Sequence, residues 1–307
     1  MTKTLSLAVG ALLLLPFRAA TQDADFTAAD FNIDSMMLAY QQRMDSIESS
    51  LTFYADTTVQ LGDGLATLTI PAGYRFVDAL DAETVLVDLW GNMPGTADGS
   101  YGMLFPDSLS VTDADCYGIH LFFTEDGYVD DEDAADIDYA ELLEQMRADM
   151  EDENELREEA GYERIDLIGW AQAPTYDPVH KRLHWAKELY FDGEEANTLN
   201  YNVRFLGRRG YLTMNVIGGI KDLPRVNENL DGILASVEYN EGHRYADFSP
   251  GIDQVAGYGI AALVAGKVLA KTGLLASVGI FLLKGWKLIM VAIVALGAGI
   301  RKLTGRS

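Results

Sequence analysis

Apolar and polar positions along this chain change period repeatedly, and each change marks an element. Met36, Met37, Tyr40, Met44, Ile47 and Leu51 recur at helical intervals, which predicts a helix over 30–51. Residues 53–60 and 65–70 are rich in β-formers, and Gly62-Asp63-Gly64 between them is a hairpin signal. Further strands are predicted at 84–90, 101–106 and 116–124. The acidic stretch 130–163 carries Tyr139, Leu142, Leu143, Met146, Met150 and Leu156 at helical intervals, so it reads as an amphipathic helix with a solvated acidic face. Strands return at 165–173, where Pro174-Thr175-Tyr176-Asp177-Pro178 predicts a turn, and at 183–191. Alternation in the latter places Leu183, Trp185, Leu189 and Phe191 on one face. Gly207-Arg208-Arg209-Gly210 joins strands at 199–206 and 211–217, and a helix over 223–234 precedes a short strand over 235–239.

That order leaves no helices to serve as regular parallel crossovers. It predicts an α+β fold, an antiparallel sheet with helices packed on its faces. The closing succession of hairpin, helix and strand looks like the α/β/α sandwich of PsbP-like proteins, a fold-level likeness that carries no function.

At both ends the alternation gives way to apolar runs. Residues 5–15, interrupted only by Ser6, follow Lys3 and lead to Pro16 and the small pair Ala19-Ala20, the build of a secretory signal peptide over residues 1–22. Arg18 sits awkwardly for a cut after Ala20; the alternative is an uncleaved anchor, for which the run is short. Beyond residue 250, apolar runs at 255–266, 272–283 and 288–300 predict a C-terminal membrane anchor over 251–303. In one arrangement a helix over 268–283 crosses, and Lys284, Trp286 and Lys287 mark the cytoplasmic interface. In the other, a helical hairpin turns near Thr272-Gly273. Both leave Gly257, Gly259 and Gly266 for close helix contact. A buried helical hairpin in a soluble protein is the competing reading.

The charges follow the same partition. All 47 Asp and Glu lie between Asp23 and Asp253, among fourteen Lys and Arg; after Asp253 come seven Lys or Arg and no acid. The expectation is an exported acidic domain over residues 23–250, periplasmic or extracellular, held by a lipid-embedded end whose tail is cytoplasmic. Excess acid argues against nucleic acid as a partner, because phosphate neutralisation needs Lys and Arg. It would suit a salty medium or a cationic ligand. The partners expected are the bilayer and a membrane or envelope protein. Cys116 is the single cysteine, so no intramolecular disulfide forms, and its strand-like surroundings read as a buried thiol.

Candidate chemistry is sparse. Asp126-Gly127 followed by Asp130, Asp131, Glu132 and Asp133 suggests a calcium loop, but Phe122 stands where the first ligand belongs. His180, His184 and Glu188 imitate a helical zinc triad on what reads as a strand, where His184 and Glu188 lie about 13 Å apart. No phosphate loop or nucleophile elbow occurs, and neither metal nor cofactor is indicated. A ligand or partner surface is expected at Tyr176, Asp177, Trp185, Arg208 and Arg209. Should the domain bind a small ligand or hydrolyse one, Tyr176, Asp177, His184, Glu188 and Arg208 would have to converge.

Trp170, Pro174-Thr175-Tyr176-Asp177, Leu183-His184-Trp185-Ala186-Lys187-Glu188, Leu199-Asn200-Tyr201 and Leu206-Gly207-Arg208-Arg209-Gly210 form a specific series. With Gly62-Asp63-Gly64-Leu65-Ala66, Leu89-Trp90-Gly91-Asn92, Arg244-Tyr245-Ala246-Asp247-Phe248 and the run from Asp253 to Leu263, it resembles the bacterial membrane-anchored family catalogued as domain of unknown function 2167. The resemblance extends from about Leu51 to Ile300 and implies a signal peptide, an exported domain and a C-terminal membrane segment. It implies no activity, cofactor or catalytic residue. The long acidic helix, and Met93 where relatives tend to have proline, are local departures. A non-enzymatic binding or assembly module of the cell envelope is the function expected.

Overall fold

The computed structural model describes residues 33–92, 94–113, 115–159 and 163–266. The chain divides into two compact units. Of the first, the described parts are helix α1 (Ile33–Ser50) and the segment around Thr84–Leu89. That segment, expected as a strand, follows helix α2 (Ala79–Glu83) in the chain and is a π-helical turn in which Trp90 N–H bonds the Val85 carbonyl at 2.8 Å. Its Thr and Val residues are strand formers, but that preference yields to context, and burial of Val85 and Leu86 decides otherwise.

The second unit is built on a seven-stranded sheet in the order β3-β4-β5-β10-β9-β8-β7. Its strands are β3 (Tyr74–Val77), β4 (Ser100–Pro106), β5 (Gly118–Thr124), β7 (Ile165–Asp177), β8 (Arg182–Phe191), β9 (Thr198–Leu206) and β10 (Tyr211–Gly219), and every pairing is antiparallel. The α+β class with antiparallel sheets therefore holds. The turn expected at 174–178 begins only after Asp177, because β7 continues through Pro174. Strand β7 is an edge strand, where a missing N–H breaks no ladder.

Both faces of the sheet are covered. On one, Tyr201, Val203, Phe205, Leu212, Met214 and Val216 pack with Val226 of α4 (Leu223–Glu228) and Ile233 of α5 (Leu230–Ala235). A small antiparallel sheet of β1 (Thr58–Leu61), β2 (Ala66–Thr69) and β11 (Val237–Tyr239) closes the same core through Leu61, Leu68 and Val237. On the other face, Leu183, Trp185, Leu206 and Tyr211 pack with Leu142 and Met146 of α3 (Tyr139–Glu159).

Helix α3 is the acidic helix, shorter than the acidic stretch. Asp138 starts it by accepting the N–H groups of Ala140 and Glu141 at 2.9 and 3.1 Å, an N-cap. Leu156, expected on its apolar stripe, is exposed. The helix also shields the free edge of β7. Buried Asn154 exchanges two hydrogen bonds with the Ile165 backbone, and Arg147 donates to the Leu167 and Ile168 carbonyls. Open edges invite intermolecular pairing, so this cover protects against it.

The boundary expected between 250 and 251 falls inside this unit. Strand β12 (Val255–Gly259) pairs in parallel with β6 (Tyr128–Asp130), and α6 (Ile260–Ala265) buries Ile260, Leu263 and Val264 in the second core. Gly257 and Gly259 thus stand on a strand, and Gly266 ends a six-residue helix, so the three share no helix face. Gly259 is needed for close approach: a Cβ there would lie 2.6 Å from the Asp133 carboxylate, which accepts the N–H groups of Ile260 and Ala261. Among the described residues no helix is long and apolar enough to cross a membrane. The expected spans, with Lys284, Trp286 and Lys287, and the signal peptide lie outside the described residues.

The β9–β10 hairpin forms as expected, with Gly207 N–H bonded to the Gly210 carbonyl at 2.8 Å. Gly210 has φ 154°, and a side chain there would run into the Thr124 carbonyl. Gly210→Ala is expected to lower stability by about 2–4 kcal/mol. Arg209→Ala, at the exposed neighbour, is expected to stay within about 0.5 kcal/mol of the parent, both read from urea unfolding midpoints.

Candidate functional site

Tyr176, Asp177, His184, Glu188 and Arg208 do not converge. Each is bonded to a different partner. Tyr176, at the end of β7, donates its hydroxyl proton to Asp131 Oδ2 at 2.5 Å. Asp177 accepts the N–H groups of Val179 and His180 and pairs with His180 Nδ1 at 2.6 Å, closing the β7–β8 turn in solvent. His184 lies 3.0 Å from the Tyr201 hydroxyl with the two rings nearly parallel, and Glu188 accepts from Asn197. Arg208 donates to Asp253 at 2.8 Å and to the Gly242 carbonyl. Trp185 is buried on the opposite face of β8 from His184, as strand alternation requires, and the Arg209 side chain is exposed.

The acids that imitate a calcium loop hold the fold together instead. Asp126 accepts the Tyr258 hydroxyl at 2.6 Å, Asp130 accepts the Glu132 N–H, and Asp133 caps α6. Among the described residues no three His, Cys, Asp or Glu are grouped to hold a metal ion. Asp131 is the hub. It accepts a hydrogen bond from the Tyr176 hydroxyl, pairs with Lys181 Nζ at 2.6 Å, and lies 2.8 Å from the Tyr245 hydroxyl, whose one proton is shared in time with the Val129 carbonyl. The Lys181 ammonium lies 4.7 Å from the Tyr245 ring centroid, and Tyr128 stacks on Phe248 at 4.0 Å. Burial alone would raise the Asp131 pKa, but hydrogen bonds from Lys181, Tyr176 and Tyr245 outweigh it and hold the carboxyl below its ordinary range. Three separate stretches, around 131, 176–181 and 245, meet at this carboxylate.

A second convergence lies on the face of the sheet that bears Trp185. Strand β9 presents Asn200, Asn202 and Arg204 there, because its odd-numbered residues fill the first core. Register places Asn202 opposite both Trp185 and Asn215, Asn215 opposite His120, and Arg204 opposite Thr213. The next row sets Lys187 opposite Asn200. Thr213 is 0% exposed, His120 and Asn202 are 7%, and Arg204 and Asn215 are 8%. Lys187 and Asn200 are half-buried and form the rim.

The atoms of this row lack protein partners to an unusual degree. Arg204 Nε and Nη1, Thr213 Oγ1, Asn215 Oδ1, His120 Nε2 and Trp185 Nε1 are all buried without a hydrogen bond. Native interiors leave few such groups, since each costs about 1–3 kcal/mol. The Arg204 guanidinium rests near aromatic rings, 5.4 Å from that of Trp185 and 5.3 Å from that of Tyr211, and no carboxylate pairs with it among the described residues. Burial lowers its pKa to about 10. Burial and the Arg204 charge lower Lys187 to about 8, with Glu153 opposing.

The sequence signal for this site was the alternation Asn200-x-Asn202-x-Arg204 facing Thr213-x-Asn215. Alone, such alternation describes a strand with one solvated face, so the covering layer had to be seen before the row could be recognised as buried.

Burial pushes the His120 imidazole down to about 4. The unfolded chain takes up this proton at about 6.5. Stability from His120 is therefore complete above that pH and declines as pH falls toward about 4, by up to about 3 kcal/mol. His120→Gln should remove this part of the slope in unfolding measured across pH 7 to 4. Asp131 acts in the same sense: its lowered carboxyl stabilises the fold above about pH 4 and that stability is lost on further acidification. Asp131→Asn should flatten the acid limb of the midpoint-versus-pH curve below pH 4. At neutral pH it should lower stability by about 1–3 kcal/mol.

No curated protein matches the chain. Among solved structures it is similar to the solution structure of cyanobacterial PsbP (CyanoP) from Synechocystis sp. PCC 6803, at 14% sequence identity and a TM-score of 0.32. That likeness covers 62% of this chain and 93% of the other, and at so low a score it carries no argument. A family model described as Protein of unknown function (DUF2167) matches residues 53–297, which is most of the chain, and the protein belongs to that family.

Proposed function

We propose that this chain is a cell-envelope protein whose exported acidic domain binds a ligand or partner while residues beyond 266 hold it in the membrane. The observation that carries the reading is the charge partition: 47 acids before residue 254 and none after it. A domain of that charge stays hydrated and resists anionic lipid. An apolar segment whose only charges are Lys and Arg tolerates lipid, because long basic side chains reach the interface. Burial of Arg204 and half-burial of Lys187, neither in an ion pair with an acid among the described residues of so acidic a domain, support recognition as its task.

In this reading the anchor begins after α6, later than composition alone suggests. A reporter active only outside the cytoplasm, fused after Gly266, should be active. The full chain should stay with membranes washed at high salt and alkaline pH, and a chain ending at Gly266 should be released. An inactive reporter, or release of the full chain by the wash, would overturn the proposal.

A further inference from the structure

We propose that the covered polar row on the central strands is a binding site for a small organic acid, its carboxylate held by Arg204 and its hydroxyl or amide groups lying along Thr213, Asn215 and His120. This deepens the binding role proposed above and does not depend on the membrane anchor.

The argument is one of charge and satisfaction. A guanidinium taken out of water without a counter-ion costs several kcal/mol. The domain has acids in abundance, yet none is paired with Arg204 among the described residues. The ionisable neighbours that act on Arg204 are the phenols of Tyr211 and Tyr258. Lys187 pairs with Asn200, about 13 Å along β9 from Arg204; it adds a second cation at the half-buried rim, and among the described residues Glu153 of α3 is the acid acting on it. The Arg204 charge still acts on Lys187, so an anion lying between the two relieves their repulsion.

The extent and chemistry of the row favour an organic anion over a bare ion. From Trp185 across β9 and β10 to His120 it spans three inter-strand spacings, about 14 Å. Beyond the guanidinium its groups are neutral: an indole N–H, a hydroxyl, an amide oxygen and an imidazole. Such groups recognise hydroxyls and amides, while the planar guanidinium suits a carboxylate held by two parallel bonds. The net charge of −24 repels anions from the surface in general, so specific uptake is readable above background.

The test uses the full chain in non-ionic detergent, with thermal unfolding followed against gluconate, acetate, glucose and inorganic phosphate. Gluconate should raise the midpoint saturably, acetate less, and glucose not at all. Arg204→Met should unfold at the parent's midpoint or above it without ligand, since it removes a buried unpaired charge, and should not respond to gluconate. Lys187→Gln, at the rim, should fold normally and weaken gluconate about tenfold. The proposal is overturned if the parent responds to none of the four, or if Arg204→Met responds as the parent does. A stronger Arg204-dependent response to phosphate than to gluconate would overturn the carboxylate assignment. Failure here leaves the reporter and membrane-wash results untouched, so the two readings fail separately.

Discussion

Covering both faces of one antiparallel sheet is the constraint on which the rest of this structure depends. A strand with alternating apolar and polar residues ordinarily turns its polar face to water. Here β9 and β10 turn one face to the core formed with α4 and α5, and the other to the side covered by α3 and α6. The polar residues of the second face are buried as a consequence. Where a side-chain or backbone partner exists they are bonded, as Asn202 is to Asn200 at 2.7 Å. Where none exists, Arg204, Thr213 and Asn215 keep unmet hydrogen-bonding capacity in the middle of the domain.

The acidic residues serve two purposes that composition cannot separate. Many lie on the surface of α3 and neighbouring loops, where they add charge and solubility. A smaller set organises the chain. Asp131 draws together three distant stretches, Asp133 caps α6, Asp138 caps α3, and Asp253 joins Arg208 to the segment at Ser249. Each is a carboxylate accepting from a hydroxyl, a cation or backbone N–H groups, and such bonds are stronger than their neutral counterparts. Residues 255–265 owe their place to this set: β12 and α6 are tied down through Asp126 and Asp133 as well as by burial of Ile260, Leu263 and Val264. An apolar run that reads as lipid-facing is, as far as Ala265, the last layer of the globular unit.

Local patterns carried a good part of the fold. The Gly207–Gly210 hairpin, the strand alternation around Trp185 and the helical spacing in α3 all follow from short-range stereochemistry, which a single chain displays openly. Errors came where context overruled preference. Thr84–Leu89 has strand-forming residues and becomes a π-helical turn; Pro174 reads as a breaker and sits in an edge strand; Leu156 keeps helical phase and faces water. The candidate site was less legible. His184 and Glu188 were noticed for their chemistry, yet their partners, Tyr201 and Asn197, lie far enough along the chain that only pairing register brings them near.

By itself the sequence determined the α+β class, the family, and the segregation of acid from the apolar ends, because composition and periodicity are properties of consecutive residues. Tertiary structure alone decided that Asn200, Asn202 and Arg204 turn inward beneath a covering layer, and that Asp131 is a junction within a stretch whose spacing imitates a calcium loop. Both outcomes turn on which surfaces meet between stretches far apart along the chain, and no local pattern encodes that.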